Sequence, residues 1–126
     1  MKKELFALIT ILSLIIISIA GYIHLSKLTN SISEHTNKAM SAVNQDNFEL
    51  ARTELNTALQ LWNDDERYTH VFIRHSEVDT VSDTFYEALE NICSNQKEEA
   101  QVSILKLMFH INSIQSMERI TLRSVF

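Results

Sequence analysis

A chain of 126 residues with 16 acidic and 11 basic side chains has room for one domain and carries a net charge of −5. It contains no proline and a single glycine, Gly21, so it lacks the turn residues that supply positive or fixed φ in sheet-rich folds. Past Lys2, Lys3 and Glu4, 15 acidic residues stand against 9 basic ones. That balance excludes the basic footprint of a nucleic-acid binder and works against adhesion of the domain as a whole to anionic lipid.

From Leu5 to Leu25 the chain runs LFALITILSLIIISIAGYIHL, with His24 its only titratable group apart from the Tyr22 phenol. A helix of that length rises about 31 Å, the thickness of a bilayer's hydrocarbon core. Tyr22, His24 and Lys27 stand at the end where interfacial side chains belong. Residues 1–25 therefore read as a transmembrane anchor and residues 26–126 as a separate helical domain. Ser18, Ala20 and Gly21 form a small-residue patch, but no GxxxG pair marks a dimer face. The competing reading is a signal peptide: Met-Lys-Lys begins it, and Ser18-Ile19-Ala20 has the small-x-small form of a cleavage site. The apolar run outlasts the usual signal core, which favours retention. With Lys2 and Lys3 ahead of the span, the expected topology is N-terminus in the cytoplasm and domain outside the cell membrane. The alternative is secretion after cleavage following Ala20.

Beyond the span, Leu25, Leu28, Ile32, Ala39 and Val43 keep a helical period, so the first helix of the domain continues from the anchor without a break. Asp46 and Glu49 have capping-box spacing and predict a second helix with Phe48, Ala51, Leu55, Leu59 and Trp62 inward. This hairpin, Ala39 to Leu59, looks like one tetratricopeptide unit, but no copy recurs at that period. A third helix is expected from Asp65 to Cys93, with Tyr68, Phe72, His75, Val78, Phe85, Leu89 and Ile92 facing in. Asn95 and Glu98 repeat the cap, and a fourth helix carries Ala100, Ile104, Leu107, Met108, Ile111 and Ile114. After Glu118 a short helix or tail should pack back through Leu122 and Phe126. The fold class is all-α: an N-terminal transmembrane helix continuing into a small antiparallel bundle.

His75 and Asp79, four apart, share a helix face at a spacing a metal could use, with His110 as the imidazole available from the fourth helix. The favoured reading is that the pair bonds within the bundle, because no Glu-x-x-His motif supports a metal centre. Trp62 beside Asp64, Asp65 and Glu66 could receive a cationic ligand, but a tryptophan closing the core is the simpler reading. The lone Cys93 forms no intrachain disulfide, leaves the redox compartment open, and is expected to be a packed thiol. No serine lies in a Gly-x-Ser-x-Gly elbow, and one glycine cannot build a phosphate cradle. No catalytic residue, metal or cofactor is expected.

The Met-Lys-Lys anchor, Asp46-Asn47-Phe48-Glu49, Trp62, His75-Ser76-Glu77-Val78-Asp79 and the closing Ile120-Thr121-Leu122-Arg123-Ser124-Val125-Phe126 occur in this order. Together they resemble an uncharacterised family of short anchored bacterial proteins, chiefly clostridial, known as domain-of-unknown-function family 4363. Val78 stands where that family prefers isoleucine, and Ser124 where asparagine is common. The resemblance covers the whole chain, implies architecture without mechanism, and singles out Trp62, His75, Glu77, Asp79 and Phe126. The expected function is a non-enzymatic module that binds a protein in or near the membrane. The alternative is an extracytoplasmic ligand-sensing or substrate-binding accessory subunit.

Overall fold

A computed structural model describes residues 1–65 and 73–125, with side chains described as far as Ser116. Among the described residues the helices are α1 (Lys2–Asn44), α2 (Phe48–Asp64), α3 (His75–Cys93) and α4 (Lys97–Val125). With no proline to remove a hydrogen bond, and one glycine, nothing in α1 interrupts the backbone ladder over 43 residues. The expected continuity of the helix past Leu25 holds.

The environment of α1 changes along its length. Leu5, Phe6, Ile9, Leu12, Ile16 and Ile19 are exposed, whereas Leu25, Leu28, Ile32, Ala39 and Val43 are buried. The N-terminal part is long and apolar enough to cross a membrane. The C-terminal part is the spine of the bundle: α2 and α4 both pack on it, while α3 packs on α4 and, over a smaller area, on α2. Short turns between α1 and α2 and between α3 and α4 make those neighbours antiparallel. Ile32, Leu55, Phe85, Ile104, Leu107 and Ile111 meet in the centre, fully buried, and each contributes about 1.5–3 kcal/mol by leaving water. The buried hydroxyls of Thr29, Thr84 and Ser103 bond to carbonyls one turn back, at Leu25, Thr80 and Glu99. Thr36 bonds to the Ser33 carbonyl. None of these four is therefore a buried polar group without a partner.

Four local expectations are corrected. The caps fall one residue later than the capping-box spacing implies: Asn47 is the α2 cap and its side chain accepts from the Leu50 amide at 3.2 Å. Asp46 instead takes a positive φ of 60°, and Asn95 one of 55°. Both turns close identically. The Asn47 amide reaches the Ala42 carbonyl at 2.8 Å and Asp46 reaches Val43, as Gln96 reaches Asn91 at 3.0 Å and Asn95 reaches Ile92. This is the pairing that satisfies a helix's last carbonyls, with Asp and Asn at a position usually given to glycine.

The third helix begins at His75, ten residues after the expected Asp65, because α2 runs to Asp64 and Arg74 is extended at φ −57°, ψ 137°. Tyr68 and Phe72, expected on its inner face, lie outside the described residues. Cys93 is exposed, not packed, because Ile92 takes the inward position and the helix ends one residue later. Finally, the segment after Glu118 forms no separate element: α4 continues as one helix to Val125.

Asn95→Ala is expected to destabilise the domain by about 1 kcal/mol and Asn95→Gly to leave it equal or more stable. Thermal unfolding of the full chain in detergent micelles, followed by circular dichroism, measures both.

Candidate functional site

Polar clamps hold the helices of the bundle in register. His35 Nδ1 meets Glu54 Oε2 at 2.7 Å, and His24 Nε2 meets Asp65 Oδ1 at 3.1 Å. The two pairs are eleven residues apart on α1 and eleven on α2, so these helices run side by side without slippage. On the other flank, the Gln101 amide donates to the Asn44 side chain at 2.7 Å, and Gln115 donates to Asn30 at 2.8 Å and to the Thr29 hydroxyl at 2.6 Å. Here the spacing is fourteen residues on both α1 and α4. Lys97 closes the far end, reaching Asp46 at 3.1 Å and the Asn44 carbonyl at 3.3 Å.

Trp62, in the last turn of α2, is 2% exposed and its indole N–H donates to the Ser82 hydroxyl at 3.2 Å. Ser82 thus interrupts the apolar stripe of α3 for a reason: it receives a buried aromatic donor. With both ring faces covered, Trp62 offers no surface to a cation. Of the acids beside it, Asp64 is exposed and Asp65 is engaged by His24.

His75 and Asp79 do pair, Nε2 to Oδ2 at 3.6 Å, but on the solvent face and not inside the bundle, with side chains 76% and 62% exposed. The buried line Val78, Val81, Phe85, Ala88 and Ile92 centres about 100° round the helix from His75 at 100° a residue. An exposed pair at this spacing contributes little to stability. Glu77 lies elsewhere, half-buried in a shallow groove of about 650 Å³ between α3 and α4, with Thr80, Phe109, His110 and Ser113. The structure therefore separates the residues that the run 75–79 groups in sequence: His75 and Asp79 face water, and Glu77 and His110 face the groove. Among the described residues no three His, Cys, Asp or Glu side chains converge on a point that could hold a metal. Phe126 lies outside the described residues.

The sequence reading passed over a second apolar face on α4. Its buried line is Ala100, Ile104, Leu107, Ile111 and Ile114, yet Val102, Leu105 and Phe109 are 52%, 57% and 69% exposed on another side. The Phe109 ring stands edge-on to His110, centroids 5.8 Å apart, at the mouth of the groove. Isolated exposed apolar side chains are ordinary, but three at spacings of three and four make a stripe. The signal was present: α4 is apolar at two phases of the helical period, and a search for one inner stripe reports only the stronger.

A family model described as a domain of unknown function, DUF4363, matches residues 19–125. The chain belongs to this family. The match starts at Ile19 and so leaves out most of the exposed apolar part of α1, while it spans the whole bundle. No curated protein and no solved structure matches the chain.

Trp62→Ala is expected to cost about 3–5 kcal/mol through the cavity it leaves, and Ser82→Ala about 1 kcal/mol by orphaning the indole N–H. Unfolding in micelles, monitored by circular dichroism, reads both. A double-mutant cycle on His35→Ala and Glu54→Ala is expected to give a coupling of about 1 kcal/mol, against about zero for His75→Ala with Asp79→Ala.

Proposed function

We propose that this protein is a non-enzymatic module, anchored by α1 in the cell membrane with its N-terminus cytoplasmic and its bundle outside, that binds another protein through the exposed stripe of α4. The observation that carries this reading is the pairing of two unlike apolar surfaces on one chain. One is a helix apolar all round over bilayer length, with Lys2 and Lys3 before it. The other is Val102, Leu105 and Phe109, an exposed line on a helix whose opposite face is already buried. A partner helix laid along that line would cover surface that water now wets, at no cost to the core. Retention of the anchor is part of the proposal; a mature chain starting at Gly21 would refute it.

A photo-crosslinking residue at Leu105 or Phe109, in cells making the full chain, is expected to trap a defined adduct. The same residue at Thr53, exposed on α2, should not. Absence of adducts from the stripe, or equal yields from both faces, contradicts the reading.

The groove beside the stripe favours a second reading, an extracytoplasmic accessory subunit that binds a small ligand and works with another membrane protein. Its volume of about 650 Å³ falls in the range of small-molecule sites, and Glu77 and His110 supply polar groups. A ligand whose stabilisation of the chain in a thermal-shift screen is lost in Glu77→Ala supports it. If amino acids, amines and divalent cations all leave the melting temperature unmoved, this second reading falls.

A further inference from the structure

The exposed line on α4 extends beyond its three apolar residues. Val102, Leu105, Phe109, Asn112 and Ser116 are all exposed, and they follow one another at spacings of three, four, three and four. That alternation is the heptad seam along which two helices coil round each other. Val102, Phe109 and Ser116 hold one of its two positions, Leu105 and Asn112 the other. Valine at the first and leucine at the second is the choice that favours two parallel strands. Glu98 precedes the seam in the same phase and bounds it, since two copies of its carboxylate face to face would repel.

Charge singles out the same surface. Past the anchor, 15 carboxylates stand against 9 cations, so two copies of the domain repel each other as a whole. From Ala100 to Ser116, however, α4 carries no carboxylate, and its titratable groups are Lys106 and His110. Lys106 already meets Glu87 of α3 at 3.7 Å. Two copies can therefore approach along this helix without setting acid against acid.

The anchor decides how they meet. Helix α4 runs antiparallel to α1, with Gln101 beside Asn44 and Gln115 beside Asn30. Chains held in one bilayer by α1 point the same way, so their α4 helices are parallel and residues of equal number stand level. In that register valine meets valine, leucine meets leucine, phenylalanine meets phenylalanine, and the two Asn112 amides meet each other. A shift of one heptad would set Asn112 against Leu105, and one amide in an apolar seam is enough to select a register. The face from Val102 to Ser116 is about 21 Å long and about 10 Å wide, roughly 200 Å² a copy. A free-standing complex needs about 800 Å² a partner. So small a contact suits chains that their anchors already hold side by side.

We infer that the partner at the α4 stripe is a second copy of this chain in the same membrane, joined through a parallel, in-register seam of Val102, Leu105, Phe109, Asn112 and Ser116. This deepens the reading of the stripe as a protein-binding surface, and rests on it and on α1 spanning a membrane.

Disulfide trapping on the full chain in phosphatidylcholine vesicles tests it. Leu105→Cys and Ser116→Cys, each in a Cys93→Ser background, are both expected to give a dimer of the 14.5 kDa chain on oxidation with copper phenanthroline. Both positions are exposed, so the core is left intact. Thr53→Cys in the same background, exposed on α2, is expected to stay monomeric. Adding Phe109→Glu to the Ser116→Cys chain is expected to abolish its dimer while circular dichroism shows unchanged helix content. An antiparallel pair can bring only one of two positions eleven residues apart onto its own mate. A dimer from one position only, from neither, or equally from Thr53→Cys overturns the parallel seam, as does one indifferent to Phe109→Glu. If a photo-crosslinker at Leu105 then still traps a defined adduct, the protein-binding reading survives; if it traps nothing, both fall.

Discussion

An α-helix must satisfy its own backbone wherever water is absent, and only an unbroken ladder can pass from lipid into a protein core without exposing polar groups to either. Helix α1 meets that constraint over 43 residues. Its first half exposes leucine, isoleucine and phenylalanine on every side, and its second half buries a single stripe under α2 and α4. The other elements take their positions from it. Helix α2 is tied to it by His24 and His35 and α4 by Gln101 and Gln115, and α3 packs on α4 and α2.

This arrangement explains why a small domain carries so many polar contacts between helices. The apolar core alone leaves neighbouring helices free to slide by a turn, since leucine, isoleucine and alanine recur along each stripe with little distinction between layers. Charged and amide pairs of fixed length do not tolerate such a slip. Two clamps on each flank, equally spaced on both partners, select one register.

The all-helical class, the continuity of α1 and nearly every inward position of α2 and α4 were legible in the sequence, because each follows from period and from the near absence of glycine and proline. The start of α3 was not legible. Tyr68, Phe72 and His75 recur at spacings of four and three, which reads as a helical stripe in the sequence, yet His75 falls about 100° from the buried line of α3 and its N-cap Arg74 is extended. The turns were misread by one residue for a related reason. Asp46 and Asn95 satisfy the spacing of a capping box, but the same residue types also tolerate positive φ, and the Schellman closure of the preceding helix claims them first. The site residues divide in the same way. Trp62 was placed in the core by its position on a stripe, whereas the outward turn of His75 and the groove position of Glu77 depend on where α3 begins. Pairings such as His35 with Glu54 join residues nineteen apart on different helices, and no local pattern announces them.

Belonging to a family whose function is not known leaves the argument to rest on surfaces. Those surfaces lie in order along the molecule: the exposed apolar part of α1, then the bundle with the exposed stripe and groove of α4. The proposal of an anchored module depends on α1 being continuous between its exposed apolar part and the bundle. Amide hydrogen exchange on the full chain in lipid nanodiscs tests this most directly, read across Ile19 to Lys27, where the only glycine sits. Slow exchange continuing without a gap from the apolar segment into Leu28 and Ile32 is the predicted result. A patch of fast exchange around Gly21, with protection on both sides, would mean a hinge between anchor and bundle and would contradict the account.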